Sequence, residues 1–223
     1  MRSRQAFSAF AAAAIIFAAL LRTTDPSAFL RYFGDLEPLV IITLAAALGW
    51  LAIHQLASCQ WLSRGASRRG LGLAAAVATG FGLAIVGVDL IVVFPPDTNV
   101  DLPSALFFYS TMALVAEVVF HLLPLLGVSV AITLSKRRPP KEIPDSVIIA
   151  VALLEPIFQV AVGFSEPTPL WANVYVGAHV FALNLVQLIL LRRHGFAAMA
   201  AVRLVYYLHW HLVWGQLRLE LLF

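Results

Sequence analysis

The chain is 223 residues long, 61% hydrophobic and only 12% charged, with a formal net charge of +3. A soluble domain is roughly half apolar and about a quarter charged, so this composition, with a mean hydropathy of +0.89, excludes an ordinary soluble globule and predicts an integral membrane protein. The small basic excess lies in short clusters between apolar runs, the pattern of topology signals rather than of a nucleic-acid surface.

The amino end, "MRSRQAFSAFAAAAIIFAALLRTT", couples a basic start to an apolar stretch of signal-peptide length. No small-x-small cleavage site follows it, so it is expected to stay as a first helix. A membrane-crossing helix needs about 20 apolar residues. Seven such spans are predicted, at roughly 6–21, 38–57, 71–94, 104–134, 146–164, 170–191 and 196–217. Between them lie breaks with turn chemistry, such as "TTDPS", "FPPDTNVDLP" and "SKRRPPKEIPD". The fourth span is too long for one straight crossing and is expected to tilt or to kink near Pro124 and Gly127.

Lys and Arg alternate between the two sides. Arg2 and Arg4 precede the first span; Arg64, Arg68 and Arg69 lie in the second loop; Lys136, Arg137, Arg138 and Lys141 in the fourth; and Arg192 and Arg193 in the sixth. The third and fifth loops have none, and the first, with Arg22 and Arg31, is ambiguous. Positive residues stay cytoplasmic, which predicts a cytoplasmic-membrane protein with its amino end inside and its carboxyl end outside. The lone cysteine, Cys59, excludes an internal disulfide and any multi-thiolate metal site.

Ionisable groups are expensive in lipid and tend to face a bundle interior or a site. The first three spans carry few of them, His54 and Asp89, and their small-residue runs "AAAA", "AAALGW" and "AAAVATGFG" suit close helix packing. Asp89 reads as an interfacial residue. Residues 1–103 are therefore expected to be three packing helices, and residues 104–223 a four-helix core around a polar pocket.

That core is marked in every span. The fourth has Glu117 and His121 at i,i+4, hence on one face, and the fifth has Glu155 and Gln159 at the same spacing. The sixth has His179, Asn184 and Gln187; the seventh aligns Arg203, Tyr207 and His211, with His209 pointing elsewhere. Counted from the ends of their spans, Glu117 lies about 13 residues in, Glu155 and His179 about nine, and Arg203 about seven. At about 1.5 Å per residue, the two glutamates and His179 reach the midplane together. Each group taken singly could be a helix-tying hydrogen bond or an ion pair; their concentration in four neighbouring spans favours a shared pocket. Tyr206, Tyr207, Trp210 and Trp214 read as packing or interface anchors.

Several chemistries are excluded by the residues themselves. The only lysines, Lys136 and Lys141, lie in a loop, so no retinal Schiff base can form in the bundle. There is no HExxH, GxSG or GxGD motif. A buried glutamate acting as general base on water, with imidazole and amide groups stabilising an oxyanion, remains feasible.

The two ExxF[H/Q] stretches "EVVFH" and "EPIFQ", then "YVGAH", then "LRRHGF" leading into a polar last helix, resemble the CAAX-protease and bacteriocin-processing family of intramembrane proteases. The resemblance covers roughly 104–215. That family has an EExxxR motif, an aromatic-x-x-x-His helix and a last helix with His-x-x-x-Asn. Glu117 and Phe120 match the first motif, with Ala116 and His121 at the altered places; Glu155 and Phe158 match it equally, with Leu154 and Gln159. Tyr175 and His179 fit the second motif, while Arg203 and Tyr207 stand where the family has His and Asn. The missing arginine of the first motif thus has a counterpart in Arg203.

The resemblance implies an intramembrane protease-like protein acting on a membrane-associated peptide. Glu117 or Glu155 would activate water, with Glu117 the first candidate. His179 would bind water or a metal, with His121 beside it. Arg203 and Asn184 would position charge, and Tyr207 and His211 would contact substrate. A zinc ion held by His179, His211 and a glutamate is an open possibility. The expected partners are lipid and a membrane peptide, with no nucleic acid. The alternatives are a catalytically inactive relative, a proton-coupled transporter or channel with Glu and His in relay, and a b-type haem protein using two of His121, His179 and His211.

Overall fold

Prolines and glycines divide the chain into helices whose ends are chemically marked. The computed structural model describes residues 3–63, 65, 67–136, 141–162 and 168–223, and among these there are helices and turns but no strand. Helices α1 (Ser3–Thr24), the short α2 (Leu30–Phe33) and α3 (Pro38–Ser58) come first, followed by α4 (Arg68–Val92). Then α5 (Ser104–Ala116) runs through a π-helical segment (Glu117–Leu122) into α6 (Leu123–Lys136). Helices α7 (Asp145–Ala152) and α8 (Leu154–Val162) form a broken pair, and α9 (Leu170–His194) precedes α10 (Phe196–Tyr207). A second π segment (Leu208–Val213) joins α10 to α11 (Trp214–Leu222).

The caps follow from residue type. Ser67 accepts the Gly70 amide at 3.0 Å and starts α4. Pro38 occupies the first turn of α3, where its missing N–H is harmless. Helix α9 ends on Arg192, Arg193 and His194, cations placed against the negative end of the helix dipole. Gly195 then takes φ +79, and a Cβ there would lie 2.5 Å from Ser3 Oγ, so both conformation and space require glycine. Ser3 Oγ donates to the Ser63 carbonyl at 3.1 Å and accepts from the Phe196 amide at 3.2 Å, tying the start of α1 to the α9–α10 turn.

Small residues let the helices approach. Gly49 on α3 faces Phe7 and Val118 so closely that a Cβ would lie 2.5 Å and 2.6 Å from them. Gly82 on α4 receives His209, whose Nδ1 is held by the Val205 carbonyl at 2.8 Å; His209 therefore points away from the other polar residues of the last helix. One apolar core joins α1, α3, α5, α6 and α7 to parts of α9 and α10, and a second joins α4, α9, α10 and the last helix. The helices of 1–103 and of 104–223 thus share both cores, and α10 lies between them.

Among the described residues five helices, Ser3–Thr24, Pro38–Ser58, Arg68–Val92, Ser104–Ser135 and Leu170–His194, are long and apolar enough to cross a membrane. Large apolar side chains such as Leu83, Ile91, Leu134 and Leu170 are exposed on the outside, while Asp89, Glu117, His121, Glu155, His179, Arg203 and Arg218 are buried. That arrangement is the inverse of a soluble domain and is the one a lipid solvent favours. The stretches 145–162 and 196–222 are each interrupted. Of the residues read as topology signals, Arg2, Arg64, Arg137 and Arg138 lie outside the described residues, as does the end of the expected fifth span beyond 162.

The interruptions have local causes. In the fourth span the irregular turn is the π segment at Glu117–Leu122 rather than at Pro124 and Gly127 themselves. Pro124 cannot bond the carbonyl four residues back, that of Phe120, so the disturbance falls one turn upstream of the proline. In the same way Pro156 frees the Ala152 carbonyl, where α7 ends. Asn184 Nδ2 from α9 donates to that carbonyl at 3.4 Å.

Candidate functional site

A buried guanidinium organises the polar residues. Arg203, on α10 and only 2% exposed, donates from Nε to Glu117 Oε1 at 2.7 Å. Its Nη1 and Nη2 form a fork on Glu155, at 2.8 Å to Oε1 and 2.7 Å to Oε2. The remaining N–H groups reach Tyr207 Oη at 3.4 Å, Asn184 Oδ1 at 3.5 Å and Gln187 Oε1 at 3.4 Å. All five donors of the side chain are committed, and both glutamates share one cation.

Each carboxylate has further partners. Glu117, fully buried in the first π segment, accepts from His121 Nδ1 at 2.6 Å on Oε2 and from Gln187 Nε2 on Oε1. Glu155, on α8, accepts from Gln159 Nε2 at 3.2 Å. Two negative groups surrounded by donors from four helical segments form an ion network of the kind that tolerates a low-dielectric interior.

Beside this network is a cavity of about 430 Å³. Its polar wall carries Glu155, Gln159, His179, Arg203, Tyr207 and His211; the rest is largely aromatic and aliphatic. Glu117, His121, Asn184 and Gln187 do not line it; they form the layer behind Arg203. The glutamate facing the same space as His179 is therefore Glu155, and Glu117 is screened from it. The volume lies in the range of about 300–1,000 Å³ typical of small-ligand sites, and the apolar lining with a few convergent polar groups is the usual composition of such a site.

His179 sits on α9 with Tyr175 Oη 3.2 Å from its Nδ1, and the edge of Phe81 packs against its ring. Its Nε2 is buried and has no hydrogen-bond partner among the described residues. His121 Nε2 and Thr98 Oγ1 are in the same condition, and Thr98 also lines the cavity. His211 stacks on Tyr109 with ring centres 4.0 Å apart and accepts from Asn99 Nδ2 at 3.3 Å. Among the described residues no three His, Cys, Asp or Glu side chains are grouped to hold a metal ion. His179, His211 and a glutamate border one cavity without forming the His₂Glu donor set a zinc site needs.

Sequence reasoning passed over a second buried ion pair. Asp89 is wholly buried near the end of α4, and accepts from Arg218 Nε at 2.6 Å and Nη2 at 3.0 Å. Trp214 Nε1 donates to the same carboxylate at 2.7 Å, and so does the Phe94 amide at 2.8 Å. Arg218 also reaches the carbonyls of Phe94 and Pro95 and Asn99 Oδ1. This clamp joins the C-terminal end of α4, the 94–99 loop and α11, next to the cavity-lining residues Phe94 and Thr98. Asp89 was visible as an ionisable residue in an apolar run; Arg218, 129 positions away, carried no local signal that the two meet.

No family model, curated protein or solved structure matches the chain.

Proposed function

We propose that the protein is a seven-span cytoplasmic-membrane protein, amino end inside and carboxyl end outside, which holds a membrane-associated peptide segment in the cavity beside Arg203 without cleaving it. The observation that carries this reading is the sharing of Arg203 by both glutamates. General-base work would require a carboxylate to take a proton from water, and the guanidinium forked on Glu155 favours its charged form and so weakens it as a base. The likeness of "EVVFH", "YVGAH" and "LRRHGF" to the CAAX-protease and bacteriocin-processing family supports a peptide as occupant. The interrupted stretches 145–162 and 196–222 supply the remaining two crossings, since a break buried among other helices is tolerated at membrane depth.

A second reading is hydrolysis with Glu155 as base. It is favoured by the placement of Glu155 and His179 on one cavity, with His179 Nε2 lacking a partner among the described residues. One experiment separates the two. Protein reconstituted in nanodiscs receives an apolar peptide carrying a photoreactive side chain. The expected result is cross-links to cavity residues such as Met112 or Val180, with the peptide intact by mass spectrometry. Cleavage that disappears in Glu155→Gln establishes the hydrolase instead, and cross-links only to the outer surface overturn both.

A further inference from the structure

The cavity has a chemical preference that its shape alone does not reveal. An anionic ligand would look for N–H donors from Arg203, but all five are taken by Glu117, Glu155, Tyr207 and the Asn184–Gln187 pair. Two carboxylates share the one guanidinium, and Glu117, whose other oxygen is taken by His121 at 2.6 Å, lies behind it. Glu155, the carboxylate that faces the cavity, still has acceptor lone pairs, because a carboxylate offers about four sites. His179 Nε2, on a residue only 7% exposed, is buried against the same space without a partner among the described residues. Nine of the lining residues are Phe, Tyr or Trp, and aromatic faces attract cations most strongly when both are shielded from water.

We propose that the cavity selects an apolar molecule bearing a single primary ammonium group. The ammonium donates to Glu155 and to His179 Nε2, and the apolar body lies among Phe94, Phe108 and Trp210. This rests on the reading of the cavity as a binding site and names the class of its occupant. A peptide segment with one lysine in an apolar run and a free aliphatic amine share this chemistry. Phe158 and Tyr32, both on the cavity wall, are 53% and 47% exposed, so the wall reaches the protein surface at two places.

The test uses the full chain in nanodiscs, with empty nanodiscs as the partition control, and measures saturable binding of dodecylamine, dodecanoic acid and dodecanol by calorimetry. A parallel arm compares an apolar peptide carrying one central lysine with the same peptide carrying methionine there. Dodecylamine is expected to bind about tenfold tighter than the acid or the alcohol, and a matching preference for the lysine peptide identifies the peptide as a source. Glu155→Gln should remove the preference. Because that change also touches the ion network, Val176→Trp, which adds bulk at a lining position outside it, should abolish binding of all three probes. Equal or tighter binding of the acid overturns the ammonium assignment alone. No saturable binding by any probe, or binding unaffected by Val176→Trp, overturns the binding reading as well.

Discussion

Arg203 is surrounded by two carboxylates, two amides and a phenol, and its removal would leave Glu117 and Glu155 buried without a cation. Breaking a buried pair from one side costs about 3–5 kcal/mol. Arg203→Ala is therefore expected to lower the thermal unfolding midpoint in detergent far more than the triple change Arg203→Met, Glu117→Gln, Glu155→Gln, which removes all three charges together. Equal losses would show that the network contributes through attraction rather than by neutralising charge. Arg203→Lys should fall between wild type and Ala, because an ammonium is a point charge and cannot make the fork on Glu155 while also reaching Glu117. The residue types were legible in the sequence, since Glu, His, Asn, Gln and Arg stand out in apolar runs. Their pairing was not. Depth placed Glu117, Glu155 and His179 at one level, but depth does not say which way each helix turns, and it is rotation that sets Glu155 on the cavity and Glu117 behind Arg203.

The helices owe their irregularities to single residues. Pro156 leaves the Ala152 carbonyl without its helical partner, and Asn184 takes its place. Asn184→Leu should cost about 1–3 kcal/mol, the penalty for an unsatisfied buried polar group. In a Pro156→Ala background a backbone N–H returns to that carbonyl, so the same change should cost measurably less. A double-mutant cycle on unfolding free energies checks this, and additive effects would refute the link. Gly49→Ala tests the close approach of α3 to α1 and the first π segment. Its Cβ would meet Phe7 and Val118, both core side chains, so a loss of about 1–3 kcal/mol from overpacking is expected in the same assay. The small-residue runs announced close packing in advance. The π segments went unanticipated, because apolar periodicity is too coarse to reveal one extra residue in a turn.

At the scale of the whole chain, the Asp89–Arg218 clamp fastens α11 to the C-terminal end of α4. Asp89→Asn keeps the shape but removes the charge that Arg218 is buried against, and should both destabilise the fold and expose the 94–99 loop to added protease. Unchanged protection would mean that the loop is held by apolar packing alone. The proposed orientation is checked by fusing alkaline phosphatase to the carboxyl end, where activity outside the cytoplasm is expected, and by an Arg69→Cys variant, exposed at the start of α4, which should be labelled from the cytoplasmic side only. The sequence by itself determined that this is a helical membrane protein and which side chains would be too costly to leave in lipid, because composition and helical period are local properties of the chain. Only the tertiary structure decided that one arginine serves two glutamates, that Glu155 and His179 share a cavity and that Asp89 meets Arg218. These depend on how residues 48, 86 and 129 positions apart are rotated and packed against one another, which no short-range pattern encodes.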